Sequence, residues 1–251
     1  MTENELLKKR LLELANRSYN SGVYTFTDFL GLVEQSLFSE LKTQIGAIPY
    51  TAWGGANGAE RVMIRFGSEE THGYTEDFPI TCIKVEPLAQ KFADKLTHRD
   101  FLGAIMNLGI ERTTLGDIVV KDNVGYVFAK EDIADYILGS LCRIRHTDVK
   151  TTLISELPGG ELFSLETKRI QLTSERIDAV VSKVFCLSRS DSQLLFSRGL
   201  VFANGRLIES CSYTPRDGEI ISVRGHGRLV YHAPVGTSKK GKLNVDVELY
   251  V

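Results

Sequence analysis

The side chains of this chain best suited to a chemical task are cations. Between Lys168 and His232 stand ten Lys or Arg against six Asp or Glu, a local charge of +4 in a chain whose total is −2, so the remainder carries −6. A basic module on an acidic body is the footprint of a phosphate-backbone binder, because concentrated positive charge draws in a polyanion. An ordinary solvated face fits the same count. Arg176, Arg189, Arg198 and Arg224 favour the first reading, since each falls near an expected helix end or turn. There a guanidinium fork can meet phosphate oxygens, and helix N-termini add backbone N–H donors. Lys183 and Arg206 belong to the same basic set.

Other groupings are poorer. Cys82, Cys142, Cys186 and Cys211 form no Cys-x-x-Cys pair, which points to free thiols in a reducing compartment. The five His show no metal-ligand spacing, so neither a metal nor a cofactor is expected. The run Trp53-Gly54-Gly55-Ala56-Asn57-Gly58-Ala59-Glu60-Arg61 lacks a Gly-Lys-Ser/Thr ending and the Gly-x-Gly-x-x-Gly spacing, so it reads as a structural turn rather than a phosphate cradle. Arg61 and Arg65 beside it fit an RNA contact and a surface charge equally. His98-Arg99-Asp100 matches a fragment of a kinase catalytic loop by chance; Thr97 and Asp100 suit a helix capping box better.

Local elements must hold the cations. Ser174 is the expected N-cap of a helix in which Ile177, Val180, Val181, Val184 and Phe185 form one apolar stripe, with Arg176 and Lys183 off it. Ser190 and Gln193 fit a capping box for a second helix, which Gly199 stops. Asn204-Gly205 between two apolar runs predicts a two-residue hairpin. Pro215-Arg216-Asp217-Gly218 predicts a turn into the strand Ile220 to Val223.

At these residues the chain resembles the S4 RNA-binding domain. The resemblance rests on Ser-x-Arg-Ile-Asp, Leu-Ser-Arg-Ser, Arg-Gly-Leu-Val-x-x-Asn-Gly and Asp-Gly-Glu-Ile-Ile-Ser-Val-Arg-Gly, spread over about sixty residues without a gap. It implies an αL-type fold whose helix pair and hairpin grip structured RNA. The residues implied are Arg176, Arg189, Ser190, Arg198, Asn204, Gly205 and Arg224, with Lys183 and Arg206 beside them.

The rest of the chain is read as two further domains. Residues 1–75 are expected to be helical with a short strand: Leu6, Leu7, Leu11, Leu14 and Ala15 make one apolar face, and Thr25 or Thr27 caps a second helix running to Leu41. The polar stretch 67–78 marks a boundary. Residues 76–165 read as βαββαβ: a strand Ile80–Val85, a helix from Pro87 to Leu96 restarting at Thr97, strands at 117–120 and 125–129, a helix 131–142 and a strand 147–154. That order is ferredoxin-like and shared with RNA-recognition-motif domains. Tyr126 and Phe128 lie on one strand face. They suit either base stacking or a core under the helices, and the missing glycine-rich signature favours the core. Residues 166–251 form the S4 domain with a C-terminal hairpin tail, in which Val245, Val247 and Leu249 alternate and Arg228–His232 pairs with them. Lys239, Lys240 and Lys242 either extend the basic face or solubilise a turn. The fold class is therefore α+β.

Laid out in full, with GGANGAER and HRDFLGAIMNLGIERTTLGDI, the chain resembles the YlmH family. That resemblance implies a cytoplasmic RNA-binding protein bound to ribosomal RNA and in reach of tRNA, on a large ribosomal subunit carrying a stalled peptidyl-tRNA, with a genetic link to cell division. No apolar run approaches the ~20 residues of a membrane span, and the N-terminus lacks the basic-then-apolar order of a signal peptide, so no membrane partner is expected. S4 domains also accompany enzymes. A pseudouridine synthase needs Gly-Arg-x-Asp, but Gly205-Arg206-Leu207 runs into Ile208 and Gly227-Arg228-Leu229 into Val230. Synthetase and methyltransferase signatures are also missing, so no catalytic activity is expected. The competing readings are a protein-interaction module at the division site and an RNA-modifying enzyme.

Overall fold

The computed structural model describes residues 2–155 and 162–250. It divides into two compact units: one runs to Phe163 apart from Gln35–Ser39, and the other takes that short piece and runs on from Ser164. The first unit spans both of the stretches expected as 1–75 and 76–165, and each has its own sheet.

The chain begins α1 (Glu3–Ser21), β1 (Thr25–Phe26), α2 (Leu32–Ile45), β2 (Tyr50–Trp53), β3 (Met63–Phe66) and α3 (Glu69–His72). The three strands form a sheet in the order β1-β3-β2. Leu11, Leu14 and Ala15 are buried as their spacing predicts, whereas Leu6 is half exposed at the edge of that stripe. Neither Thr25 nor Thr27 caps α2, which starts from Gly31 with no side-chain cap. Both threonines are buried in or beside the strand: Thr25 Oγ1 donates to the Leu14 carbonyl at 2.8 Å, and Thr27 Oγ1 accepts from Ile64 N at 2.9 Å. Pairing with β3 outweighs their capping preference. The polar stretch 67–78 is packed, with a capping box at Ser68 and the rings of His72 and Tyr74 against Tyr24.

Next come β4 (Ile80–Pro87), α4 (His98–Met106), β5 (Leu115–Lys121), β6 (Val124–Lys130), α5 (Glu131–Ser140), β7 (Arg143–Ile144) and β8 (Thr147–Ile154). Their sheet runs β5-β6-β4-β8-β7, with every neighbouring pair antiparallel. This is the ferredoxin-like order, with β7 added at one edge. Ile83, Val85, Val127 and Ala129 face Phe101 and Ile105 of α4 and Ala134 and Ile137 of α5. The capping box at Thr97–Asp100 forms as predicted. The helix expected from Pro87 to Leu96 does not. Pro87 instead closes β4 opposite Val149, and only a single helical turn, Gln90–Phe92, follows. Leu88 and Phe92 are exposed, so no buried stripe drives a helix there.

The second unit contains β9 (Leu165–Leu172), α6 (Ile177–Val184), α7 (Arg189–Ser197), β10 (Val201–Ala203), β11 (Arg206–Leu207), β12 (Glu219–Val223), β13 (Gly227–Tyr231), β14 (Gly236–Thr237) and β15 (Leu243–Tyr250). The path β11-β10-β12-β13-β15-β14 is joined by β9, which pairs with β15 along its whole length. The predicted hairpin at Asn204-Gly205 is present, with φ of 46° and 74°. So is the pairing of Arg228–His232 with the last strand.

Tyr231 belongs to the hydrophobic core of this unit and is fully buried, its hydroxyl 3.3 Å from Glu175 Oε2. Burial, and then the Glu175 carboxylate, push its phenol up to about 12. The unfolded chain loses that proton first, near pH 10. The stabilisation is therefore complete below pH 10 and is lost as pH rises toward 12, by up to about 2–3 kcal/mol. Urea unfolding across this window should show the decline, and Tyr231→Phe should flatten it.

Candidate nucleic-acid interface

The helix pair of the second unit is set by tertiary bonds. Ser174 does not cap α6. Arg176 is the N-cap residue, and the first N–H groups of the helix go instead to the backbone carbonyls of Tyr213 (2.8 Å from Ile177 N) and Cys211 (3.4 Å from Asp178 N). At the other end Leu187 N donates to the Ser182 carbonyl and Cys186 takes a φ of 54°, which swings the chain so that Ser188, not Ser190, caps α7 and accepts from Asp191 N. Ser190 sits in the first turn, its Oγ 2.9 Å from that of Ser188. Buried Ser192 Oγ donates to the Asp178 carbonyl at 2.9 Å and fastens the helices together.

Three of the expected cations line one groove. Arg176, Lys183 and Arg189 border a cavity of about 240 Å³ whose other wall is Gln171–Ser174. Arg176 is anchored: its Nε and Nη2 donate to Asp178 Oδ1 and Oδ2 at 3.0 and 2.9 Å, and Asp178 is only 3% exposed. Burial pushes the Asp178 carboxyl up, but the bonds and charge of Arg176, with the Ala179 N–H and Gln193, outweigh burial and hold it below the usual carboxylate value. Arg176 therefore fixes the start of α6 and presents only part of its fork to the groove. Lys183, Arg189, Arg198 and Arg224 are exposed and form no ion pair with any described residue.

Arg198 caps the C-terminus of α7, where Gly199 takes a φ of 66°. The end of β12 is bonded to the same turn, Arg224 N donating to the Leu200 carbonyl at 2.9 Å, so these two arginines occupy adjoining segments. The hairpin residues behave differently. Asn204 Oδ1 accepts from Ile220 N at 3.0 Å and braces the turn, Gly205 is buried, and the Arg206 guanidinium lies 5.5 Å from the Tyr213 ring centroid. The groove wall at the end of β9 escaped the sequence reading. Its only local signal is Ile170 and Leu172, buried two apart, and its register exists only against β15. Lys239, Lys240 and Lys242 are exposed.

The remaining candidates are internal. Arg61 donates to the carbonyls of Phe29, Arg112 and Leu115, while the carboxylate of Asp117 accepts from the backbone N–H of Glu60 and Arg61. Half-buried Arg65 lies over Tyr24 and Phe78, 4.9 and 5.0 Å from their centroids, and donates to the Glu76 carbonyl. Each is therefore an internal clamp, neither a free surface charge nor an exposed phosphate contact. Tyr126 and Phe128 are buried, but not under the helices. Alternation sends Val127 and Ala129 to the helical side, and the two aromatics pack on the opposite face with Ala56, Cys82 and Leu162. Gly55, at a φ of 94°, runs so close that a Cβ there would lie 2.4 Å from the Phe128 ring. The glycine run is thus a lid on the sheet face that an RNA-recognition motif leaves open.

Comparison with known proteins adds a family and a region. Residues 74–156 match a family described as the putative RNA-binding domain in YlmH. All nine residues expected at the interface lie outside that region. The chain is 30% identical over 229 residues to ribosome-associated protein quality control protein P2 of Bacillus subtilis (strain 168), an alignment covering 88% of this chain and 86% of the relative. A solved structure, cell division protein ylmH from Streptococcus pneumoniae, aligns with 61% of this chain and 92% of its own at 21% identity, with a TM-score of 0.48.

Proposed function

The chain belongs to the YlmH family, and on that premise we propose that it is a non-catalytic RNA-binding protein of the ribosome. In this reading the second unit is an S4 domain whose basic helix pair sits on the sugar–phosphate surface of folded ribosomal RNA. The host particle is the large subunit carrying a stalled peptidyl-tRNA, in the cytoplasm, with tRNA within reach. The protein has three functional parts, 1–75, 76–165 and 166–251, and the last supplies the main grip. The observation that carries this reading is the groove of Arg176, Lys183 and Arg189, together with Arg198 and Arg224 on two segments bonded to each other, four of these five cations being unpaired among the described residues. Such unpaired cations can release counterions from RNA without first giving up a protein partner. The name of the B. subtilis relative supports the ribosomal setting.

Crosslinking in cells, followed by sequencing of the attached RNA, should return ribosomal RNA and tRNA reads. In vitro, affinity for ribosomes should fall steeply and log-linearly with salt. Recovery of a protein partner without RNA would replace this reading with an interaction module. A modified nucleotide missing from the RNA of a deletion strain would replace it with an enzyme.

A further inference from the structure

The region matched as a putative RNA-binding domain offers its partner no open aromatic sheet, because the face bearing Tyr126 and Phe128 is covered. Nor is the region basic overall: residues 74–156 hold ten Lys or Arg against thirteen Asp or Glu. The bases are unevenly placed, however. Five of the ten, Lys91, Lys95, Arg99, Arg143 and Arg145, lie where the loop after β4 meets the start of α4 and the β7–β8 turn.

That loop is held rigidly while it exposes an aromatic ring. Phe92 is 84% exposed, with Lys91 Nζ 5.8 Å from its centroid. Around it the backbone is tied down from three sides. Gln90 Nε2 donates to the Asp122 carbonyl at 2.8 Å, Asn123 bonds both the Asp94 carbonyl and Leu96 N, and Asp94 N donates to Thr147 Oγ1 at 2.9 Å. The Asp94 carboxylate accepts from His146 N at 3.2 Å, joining the loop to the β7–β8 turn. Beside it an open groove of about 620 Å³ is lined by Arg99, Arg143 and Arg145. Asp100 and Asp148 neutralise part of this charge, at 3.8 Å from Arg145 and 2.7 Å from Arg143. Arg99 is exposed and has no ion pair with any described residue.

We propose that this end of the ferredoxin-like domain, not its sheet face, is the domain's RNA contact. Phe92 stacks on an unpaired base, and Arg99, Arg143 and Arg145 hold the adjoining phosphates. A ring and lysines on a braced loop suit a single-stranded element, because every base offers a face for stacking and the neighbouring cations track the backbone. Preorganisation spares the loop the ordering cost a mobile segment would face on binding. The inference rests on the RNA-binding reading above and deepens it by assigning a second contact and the kind of RNA it takes.

The test uses the full chain, purified ribosomes whose RNA carries 4-thiouridine, and mass spectrometry of peptide–nucleotide adducts. An adduct should map to the peptide spanning 88–97. Phe92→Ala should abolish it and weaken ribosome binding roughly tenfold or more, with an unchanged melting temperature because the ring is exposed. Phe92→Trp should retain both adduct and affinity. If adducts map to 164–251 but never to 88–97, and Phe92→Ala binds as the parent does, the inference is overturned while the RNA reading stands. If no segment yields an adduct, the RNA reading itself falls. A ribosomal protein captured by a photoreactive residue at position 92, with no RNA adduct there, would also overturn it.

Discussion

Exchanging Arg189 and Arg198 together for glutamate should remove this protein from the ribosomal pellet at physiological ionic strength while leaving it folded. Both side chains are exposed and unpaired among the described residues, so neither substitution breaks a native bond. Arg189 is the first residue of α7, where a carboxylate is favoured by the helix dipole. Arg198 is the C-cap, where it costs about 0.3–1 kcal/mol, too little to unfold the unit. Binding suffers far more. A charge-assisted hydrogen bond contributes about 1.5–3 kcal/mol, so losing two and placing two anions against phosphate should cost at least about 3–6 kcal/mol, on the order of a hundredfold or more. The dependence of log affinity on log salt should become shallower by roughly 2, one for each phosphate that is no longer neutralised. Circular dichroism and ribosome co-sedimentation would read both sides of this prediction. Unchanged pelleting would remove the helix-pair face from the interface.

Replacing Phe128 with alanine should have an equally large effect of the opposite kind, on stability with no change in RNA affinity. Phe128 is 2% exposed and packs with Ala56, Cys82, Tyr126 and Leu162. Truncating a buried phenylalanine costs about 3–5 kcal/mol, because apolar burial is lost and a cavity remains. Collapse of that cavity is limited here, since Gly55 and Gly116 already press their backbones against the ring and its Cβ. Urea unfolding should show the loss in the first unit, while the folded protein retains its affinity for ribosomes. A variant that kept its stability and lost RNA would mean that the sheet face opens as a stacking platform.

Much of the architecture was legible because it is local. The βαββαβ order follows from runs whose period switches between 2 and 3.6, and β8 matches its expected bounds, Thr147–Ile154, residue for residue. Asn204-Gly205 could be read as a turn because few other residues accept the positive φ found there. The cationic set could also be read, since charge is a property of composition.

What the chain folds against was not legible. The cap of α6 could not be read from Ser174, because the carbonyls of Cys211 and Tyr213, more than thirty residues on, take its first N–H groups. β9 has no meaning without β15, whose paired residues lie more than seventy positions away. Alternation placed Tyr126 and Phe128 on one face, but only the folded chain shows that this face is closed by a glycine run far upstream and that Arg61 and Arg65 are turned inward as clamps. Periodicity and turn chemistry act within a few residues, so sequence alone determined most of the elements and the sign of their charge, but neither β9 nor the end of β4 at Pro87. Partners distant in sequence compete for the same surfaces and hydrogen bonds, and only tertiary structure decided which cations stay exposed.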